Sequence, residues 1–550
     1  MNSWTRREVL AAFLGASAAT AACRSHVAPS MPAGEIVGAS DKIGHKLRDG
    51  LRISPSSDAW QRVGMVIVGG GVAGLSAARA LLNAGYTDFV LLELEAAHGG
   101  TSRSGTSPLV SYPWGAHYLP APLKENRALV SLLDEMNVLE GTDDAGEPVV
   151  AEQYLCRDPE ERVFYKGRWY EGLYLNAGAS ADDLRQLNAF HAEIEKWVEW
   201  RDGRGRRAFA IPVANCSDDA EVQSLDQISM SEWLDARGWR SPRLRWFVDY
   251  ACRDDYGARL EATSAWAGIF YFASRIARAA VEARPLITWP EGNGRLVKHL
   301  YDKAREHVRL NFAVSEIIPI DERGRRGVDV VAFDEAGKRA VGFHADQVVF
   351  AAPHFLAPYL IRGYQENGGA SIAAEFQYGA WMVANLFLKE RPSQDGAGFP
   401  LAWDNVLYES PSLGYVVATH QRGLDRGATV FTYYYPMCDA DPRVGRNRLL
   451  EMDWHACADV ALTDLERAHP QIRTLTERLD VMRWGHAMVR PRPGFVWSKA
   501  RIEAAQPFRG VHFAHTDLSG VALFEEAFYH GTRAAEEVLA RRGLRFASAL

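Results

Sequence analysis

The chain has 550 residues, 47% of them hydrophobic, enough to bury the cores of about two to four domains. A net charge of −7, with both signs interspersed, argues against the basic footprint of a nucleic-acid binder. Six cysteines, at 23, 156, 216, 252, 438 and 457, form no CxxC and no zinc spacing, so no metal site is expected.

At the start, Arg6 and Arg7 precede an apolar run over 9–22. The run is too short for a membrane span, which needs about 20 apolar residues. A basic start, a short apolar middle and small residues at the end predict a signal peptide over 1–23. The arginine pair resembles a twin-arginine export signal, whose machinery carries folded proteins. The protein is therefore expected to be periplasmic or exported by that pathway. Small residues before Cys23 also resemble a lipobox, with Thr20 where a branched apolar residue is usual. A lipid anchor at Cys23 and plain cleavage nearby both stay open. Residues 24–60 lack sustained periodicity and read as a linker.

The next stretch, "VGMVIVGGGVAGLSAARALLNAGYTDFVLLELE", carries chemistry. Residues 66–68 are continuously apolar, as in a parallel strand covered on both faces. Gly69, Gly71 and Gly74 follow in GxGxxG spacing, leading with Val72 and Ala73 into a helix marked by Leu75, Ala78 and Leu82. A second strand over 89–92 ends in Glu93, nineteen residues past Gly74. In this order Gly69 permits the tight turn, Gly71 lets a pyrophosphate approach, and Gly74 allows close helix–strand packing. The helix start faces the phosphates and Glu93 accepts ribose hydroxyls. Dinucleotide binding is the expectation, with Glu95 a rival for the ribose.

Farther on, Leu184, Leu187, Phe190, Ile194 and Val198 form a helical core stripe, and 265–273 reads as a buried helix. Runs at 382–388 and 428–434 look like strands. "CRDDYG" gathers Asp254, Asp255 and Tyr256, which fit either a helix cap or a site for a cationic polyamine. No GxSxG, HExxH or GxxxxGKS/T occurs, so hydrolase and nucleotide-hydrolase readings lack their signatures.

Gly99 and Gly100, six and seven residues past Glu93, with Thr101 and Arg103, resemble the flavin-containing amine oxidase superfamily. That superfamily includes monoamine and polyamine oxidases, protoporphyrinogen oxidase and carotenoid desaturases. The resemblance continues through "YPWGAHYL" with Gly115 and His117, and through "TWPEGNGRLVKHLYDKAREHVRLNFAVSEI" with Val314. It extends through "DQVVFAAP" with Ala352 to "VHFAHTDLSGVALFEEAFYHGTRAAEEVL".

The resemblance implies an α/β fold. A Rossmann-like FAD-binding domain of glutathione-reductase type, with a parallel sheet and a β-meander, comes from 61–130, 285–355 and 480–545. A mixed α+β substrate domain comes from 131–284 and 356–479. Asp517 would lie near the pyrophosphate or ribityl chain, and the helix opening around Val521, Ala522 and Leu523 would face the flavin O2 edge. Trp484 would flank the flavin. Noncovalent FAD is expected, because "RWGHAMVRPRPGF" has no cysteine at the covalent position.

Lys389 resembles the lysine that is water-bridged to flavin N5 and is the expected catalytic residue. Ala487 and Leu523 stand where many amine oxidases place an aromatic pair, although Trp484, Phe495, Phe524 or Tyr433 could enter the pocket otherwise. His486, Arg490 and Arg492 bring polar groups instead, so His486, Arg490 and Tyr433 are substrate candidates. The implied reaction is hydride removal from a carbon beside nitrogen, with O2 or another acceptor reoxidising the flavin. The alternatives are desaturase- or protoporphyrinogen-oxidase-like dehydrogenation of an apolar substrate, or a non-catalytic FAD-stabilised binding protein. The partners expected are a small-molecule substrate and the export machinery; oligomeric state stays open.

Overall fold

The computed structural model describes residues 31–38, 41–280, 283–322, 325–393 and 398–550. The segment 1–23 expected to be a signal, Cys23 included, and the beginning of the expected linker lie outside the described residues.

Strand Trp60–Val68 lies between Phe89–Leu92 and Arg339–Phe350, all parallel, so Val66 pairs with both Val90 and Val348. Val308–Arg309 and Val511–Phe513 extend the parallel part. Because side chains alternate across a strand, Met65 and Ile67 enter one core while Val66 and Val68 enter another. That two-sided burial accounts for the unbroken apolar run. On the first face sit helices Val72–Asn83, Gly294–Ala304 and the C-terminal helix Phe524–Arg541. Arg339–Phe350 also continues antiparallel into Arg325–Asp334 and Phe312–Glu322, the β-meander.

Glycine sets the closest approaches here. A Cβ on Gly74 would lie under 3.0 Å from the Gly69 carbonyl oxygen. One on Gly531 would meet the Ala73 carbonyl and the Ser76 hydroxyl equally closely, so the C-terminal helix rests directly on the first helix.

The second sheet has eight strands. Its order is Ile36–Val37, Thr476–Val489, Tyr378–Leu388, Thr429–Met437, Gly414–Val417, Asp404–Leu407, Glu161–Tyr165 and Arg168–Glu171. Helix Trp454–Glu466 packs on one face. A helical lobe is built on Ala181–Glu199, Pro242–Tyr256 and Ala265–Ala273. Ser180 and Asp183 close a capping box at its first helix. Phe190, Ile194 and Val198 of the expected stripe are buried there, whereas Leu184 is exposed.

This is the α/β class expected, with two shifted boundaries. Ile36–Val37 is a sheet strand rather than linker, pairing parallel with Val481 and Met482. Gly38 then turns at φ +113°, where a Cβ would collide with Met482, so glycine is needed. At the other end Thr476–Val489 belongs wholly to the eight-stranded sheet, because it pairs with Tyr378–Leu388; the return to the first domain comes after it.

Candidate active site

A cavity of about 1810 Å³ opens between the two sheets. At one end lie Gly69, Gly71, Val72 and Ala73, the turn and first residues of the Val72–Asn83 helix. A Cβ on Gly71 would meet nothing within 4 Å, so the backbone amides at the positive helix end are open to an anionic ligand. Glu93 lines the same end. It accepts the Gly70 amide at 2.6 Å and the Glu95 amide at 2.8 Å, and burial pushes its carboxyl above the usual range. Glu95 lines it as well. Gly99 docks against the glycine turn by donating its amide to the Gly70 carbonyl at 2.8 Å. Gly100, Thr101, Gly115, Val314 and Ala352 complete this part of the wall. An adenine dinucleotide cofactor fits the open amides, the acid at the second strand's end and the cavity's size.

Some expected cofactor residues stand behind the wall. Gly74 serves the helix–strand contact. Arg103 reaches the Met482 sulfur at 3.0 Å and lies over the Trp484 ring at 5.0 Å, holding its loop to the strand Thr476–Val489. Trp484 itself lines the cavity and donates to the Trp114 carbonyl at 2.7 Å. Asp517 is buried off the cavity, accepting the His354 amide at 2.9 Å and the Tyr378 hydroxyl at 2.7 Å. Burial alone would raise its carboxyl, but His515 and these donors hold it below the usual range. Val521 is buried, its carbonyl accepting the Thr516 hydroxyl at 2.8 Å. Ala522, Leu523, Phe524 and Glu525 do face the cavity, at the start of the C-terminal helix.

Three expected residues are corrected. Lys389 is exposed just past the end of Tyr378–Leu388 and is not among the lining residues; that strand instead presents Trp381 and Val383. Tyr433 points to the helix-packed face and donates to Asp464 at 3.0 Å, so strand alternation gives the cavity Tyr434. Tyr434 donates to the Gly115 carbonyl at 2.8 Å and stacks on His117 at 4.6 Å. Arg490 is buried away from the cavity, donating to the carbonyls of Asp439 at 3.0 Å and Met437 at 2.9 Å. Arg492 pairs with Glu375, and Phe495 is buried in the meander core. His486 and Ala487 line the cavity. Burial and nearby Arg446 push His486 down to about 4, and its ring stacks on Phe355 at 4.2 Å. Burial likewise pushes His117 to about 4.

Beyond Asp254 and Asp255, the sequence gives no hint of the acids gathered here. Asp254 and Asp255 line the cavity in the last turn of Pro242–Tyr256. They are at the helix end opposite to a cap, so the capping alternative is overturned. Tyr256 of the same motif is buried and donates to the Ala267 carbonyl at 2.8 Å. The Tyr118 hydroxyl donates to Asp254 at 3.0 Å and Asp255 at 3.2 Å, while Arg275 pairs with Asp255 at 2.5 Å. Burial first, then Asp255, pushes Asp254 up to about 7. Burial and the Asp254 charge push Asp404 up to about 8, where it accepts the Tyr250 hydroxyl at 3.1 Å. Glu161 is raised well above its usual range by burial, with Asp404, Glu160 and Asp254 adding to the shift; Glu160 is raised by burial. Asp254 and Asp255 thus line the cavity, with Arg275 paired to Asp255, and Asp404, Glu161 and Glu160 lie off the lining, close enough for their charges to act on one another.

The family model for flavin containing amine oxidoreductases matches residues 72–363. Among solved structures, wild-type putrescine oxidase bound to putrescine is 16% identical with a TM-score of 0.62, covering 88% of this chain and 100% of that one. Cyclohexylamine oxidase from Brevibacterium oxydans is 16% identical at TM-score 0.60, covering 88% and 99%. A CLA-producing fatty acid isomerase from P. acnes is also 16% identical at 0.60, covering 89% and 99%. At these identities the likeness speaks to the fold. No curated protein sequence matches the chain significantly.

Proposed function

The chain belongs to the flavin-containing amine oxidoreductase family and is an FAD-dependent oxidoreductase, and we propose that its substrate is an amine carrying more than one positive charge. The observation that carries this reading is the pair Asp255 and Asp254 on the cavity wall, with Asp404, Glu161 and Glu160 off the lining near enough to act on them electrostatically. Asp254, Asp404, Glu161 and Glu160 are held above their usual range and are costly to ionise alone, and a cationic ligand relieves that cost by pairing.

Bound FAD supplies the two-electron acceptor. Gly69 to Ala73 and the positive start of the first helix would hold its pyrophosphate, and Glu93 its ribose. Asp254 and Asp255, oriented by Tyr118, would fix a substrate ammonium, and the charges of Asp404 and Glu161 beyond the lining would favour a second positive charge. Trp381, Val383 and Tyr434 would exclude water from the carbon that loses hydride. Loss of hydride from that carbon leaves an imine, which water hydrolyses.

We place the enzyme outside the cytoplasm, exported folded by the twin-arginine route. Supporting this, Ile36 and Val37 near one chain end and Phe524 and Glu525 near the other line one cavity. A cofactor is enclosed only once nearly the whole chain has folded. Replacing Arg6 and Arg7 by lysine should trap flavin-loaded protein in the cytoplasm, and the mass of the mature N-terminus decides between lipidated Cys23 and plain cleavage.

The substrate reading is tested by anaerobic mixing of purified holoprotein with putrescine, spermidine, butylamine, free amino acids and a porphyrinogen. Putrescine or spermidine should bleach the flavin absorbance at least tenfold more efficiently than butylamine, a difference of about 1.4 kcal/mol. Bleaching only by an uncharged or anionic candidate would favour the desaturase-like alternative, and none at all the non-catalytic one.

A further inference from the structure

Glu525 is the second residue of the C-terminal helix, lines the cavity and is only 5% exposed. Its carboxyl accepts its own backbone N–H and has no other hydrogen-bond or ion-pair partner among the described residues. Glu526, beside it and equally buried, accepts the Val213 amide at 2.8 Å and the Ser519 hydroxyl. Glu526 therefore has a structural task, whereas Glu525 presents a buried acid to the cavity without one.

The charges that bear on Glu525 come from three directions. Arg275 attracts its ionised form, Asp255 opposes it from the acidic wall, and Glu526 lies next to it on the same helix. Asp254 stands beside Asp255, sharing the Tyr118 hydroxyl. The positive helix end also favours the carboxylate. Burial outweighs these influences and lifts the group to about 7. Near neutral pH it can thus both take and give up a proton, as a general base must.

We propose that Glu525 is the proton acceptor for the reacting ammonium of the substrate. This rests on the amine reading above. One N–H bond of R–NH3+ breaks and one O–H bond forms on Glu525. R–NH2 is left with the lone pair that loss of hydride from the neighbouring carbon requires. No electrons leave the substrate in this step. Asp254 and Asp255 hold charge and Glu525 moves the proton, which divides the acids of one cavity into two tasks.

The test is anaerobic flavin reduction by putrescine from about pH 5 to about pH 9, for the wild type, Glu525→Gln and Glu525→Asp. Wild-type reduction should fall about tenfold per pH unit below about pH 7. Glu525→Gln should slow reduction by roughly a hundredfold and move that limb towards the ammonium's own pKa, while Glu525→Asp keeps a limb. A second readout needs no turnover. Isotope-edited infrared titration of holoprotein should show several protonated carboxyl bands lost near neutral pH in the wild type, and one fewer in Glu525→Gln. An unchanged acid limb in Glu525→Gln overturns the assignment, and so does a lower melting temperature with the limb in place. If wild-type flavin is reduced by no amine, the amine reading falls and this assignment with it. If wild type is reduced and Glu525→Gln matches it, only the assignment falls.

Discussion

Replacing Asp404 by asparagine removes one half-buried carboxyl while leaving an oxygen to accept the Tyr250 hydroxyl, which donates to Asp404 at 3.1 Å. In the folded protein this carboxyl is raised from 3.8 to about 8, by burial first and by Asp254 second. The folded state therefore keeps a proton that the unfolded chain sheds above about pH 4. Stability falls with rising pH across that window by about 1.4 kcal/mol per unit, then levels off above about pH 8. The asparagine side chain does not titrate, so the advantage of the variant should grow from near zero at about pH 4 to about 5 kcal/mol at about pH 9. The assay is the difference in urea unfolding midpoints at several pH values, scaled by the common slope. The same change takes a negative charge from the proposed ammonium site, so KM for putrescine should rise at least tenfold while KM for butylamine moves little. A stability difference independent of pH would refute the reasoning about the carboxyl. An unchanged KM for putrescine would refute its part in binding.

Lys389→Met should leave both flavin reduction and reoxidation within about twofold of wild type, since an exposed lysine beyond the cavity wall touches neither ligand; a loss beyond tenfold in stopped-flow reoxidation would restore it to the mechanism. Gly531→Val places side-chain carbon where the Ala73 carbonyl and Ser76 hydroxyl already sit. Overpacking of about 1–3 kcal/mol should lower the flavin-to-protein ratio after gel filtration. Arg275→Met strands the Asp255 charge it pairs with at 2.5 Å, which should cost about 3–5 kcal/mol at about pH 8. The added change Asp255→Asn should restore most of it in thermal melts. Putrescine binding should release protons from carboxyls held near 7 and 8, detected as a calorimetric heat that varies with the ionisation enthalpy of the buffer.

What the sequence made legible was contiguous. The run from Val63 to Glu93 carries its strand, glycines, helix and acid within one supersecondary unit, and each residue's task follows from local backbone geometry. The cavity's other wall depends on choices the local pattern does not reveal. A strand's period of two says that Tyr433 and Tyr434 face opposite ways, but the packing of helix Trp454–Glu466 decides which one meets the cavity. The same alternation gives the cavity Trp381 and Val383, and the strand has left it by Lys389. Arg490 reads as a free cation in a line of letters; only the fold brings the carbonyls of Met437 and Asp439 to its guanidinium. Glu160, Asp254 and Asp404 come from three distant stretches, and no spacing rule connects them. Ile36–Val37 was hidden differently. Two residues are too few to show periodicity, and its docking rests on backbone pairing.

The helix Pro242–Tyr256 ends in two aspartates, where the negative end of the helix dipole disfavours them. A basic residue would be stabilising there, and the turn does contain one. Arg253, however, is turned away to Asp249 and to the carbonyls of Pro411 and Ser412. Arg275 comes from outside the helix and neutralises Asp255, leaving Asp254 with a hydroxyl donor but no ion pair among the described residues. If packing alone had shaped this corner, a single acid–arginine pair would have sufficed, and asparagine at 254 would keep the Tyr118 hydrogen bond without the burial cost. The second acid is a lasting destabilisation on a cavity wall, of the kind proteins retain at functional sites. The ammonium of the proposed substrate would relieve it by supplying the missing cation, so the same carboxyl that weakens the empty fold would strengthen the loaded one.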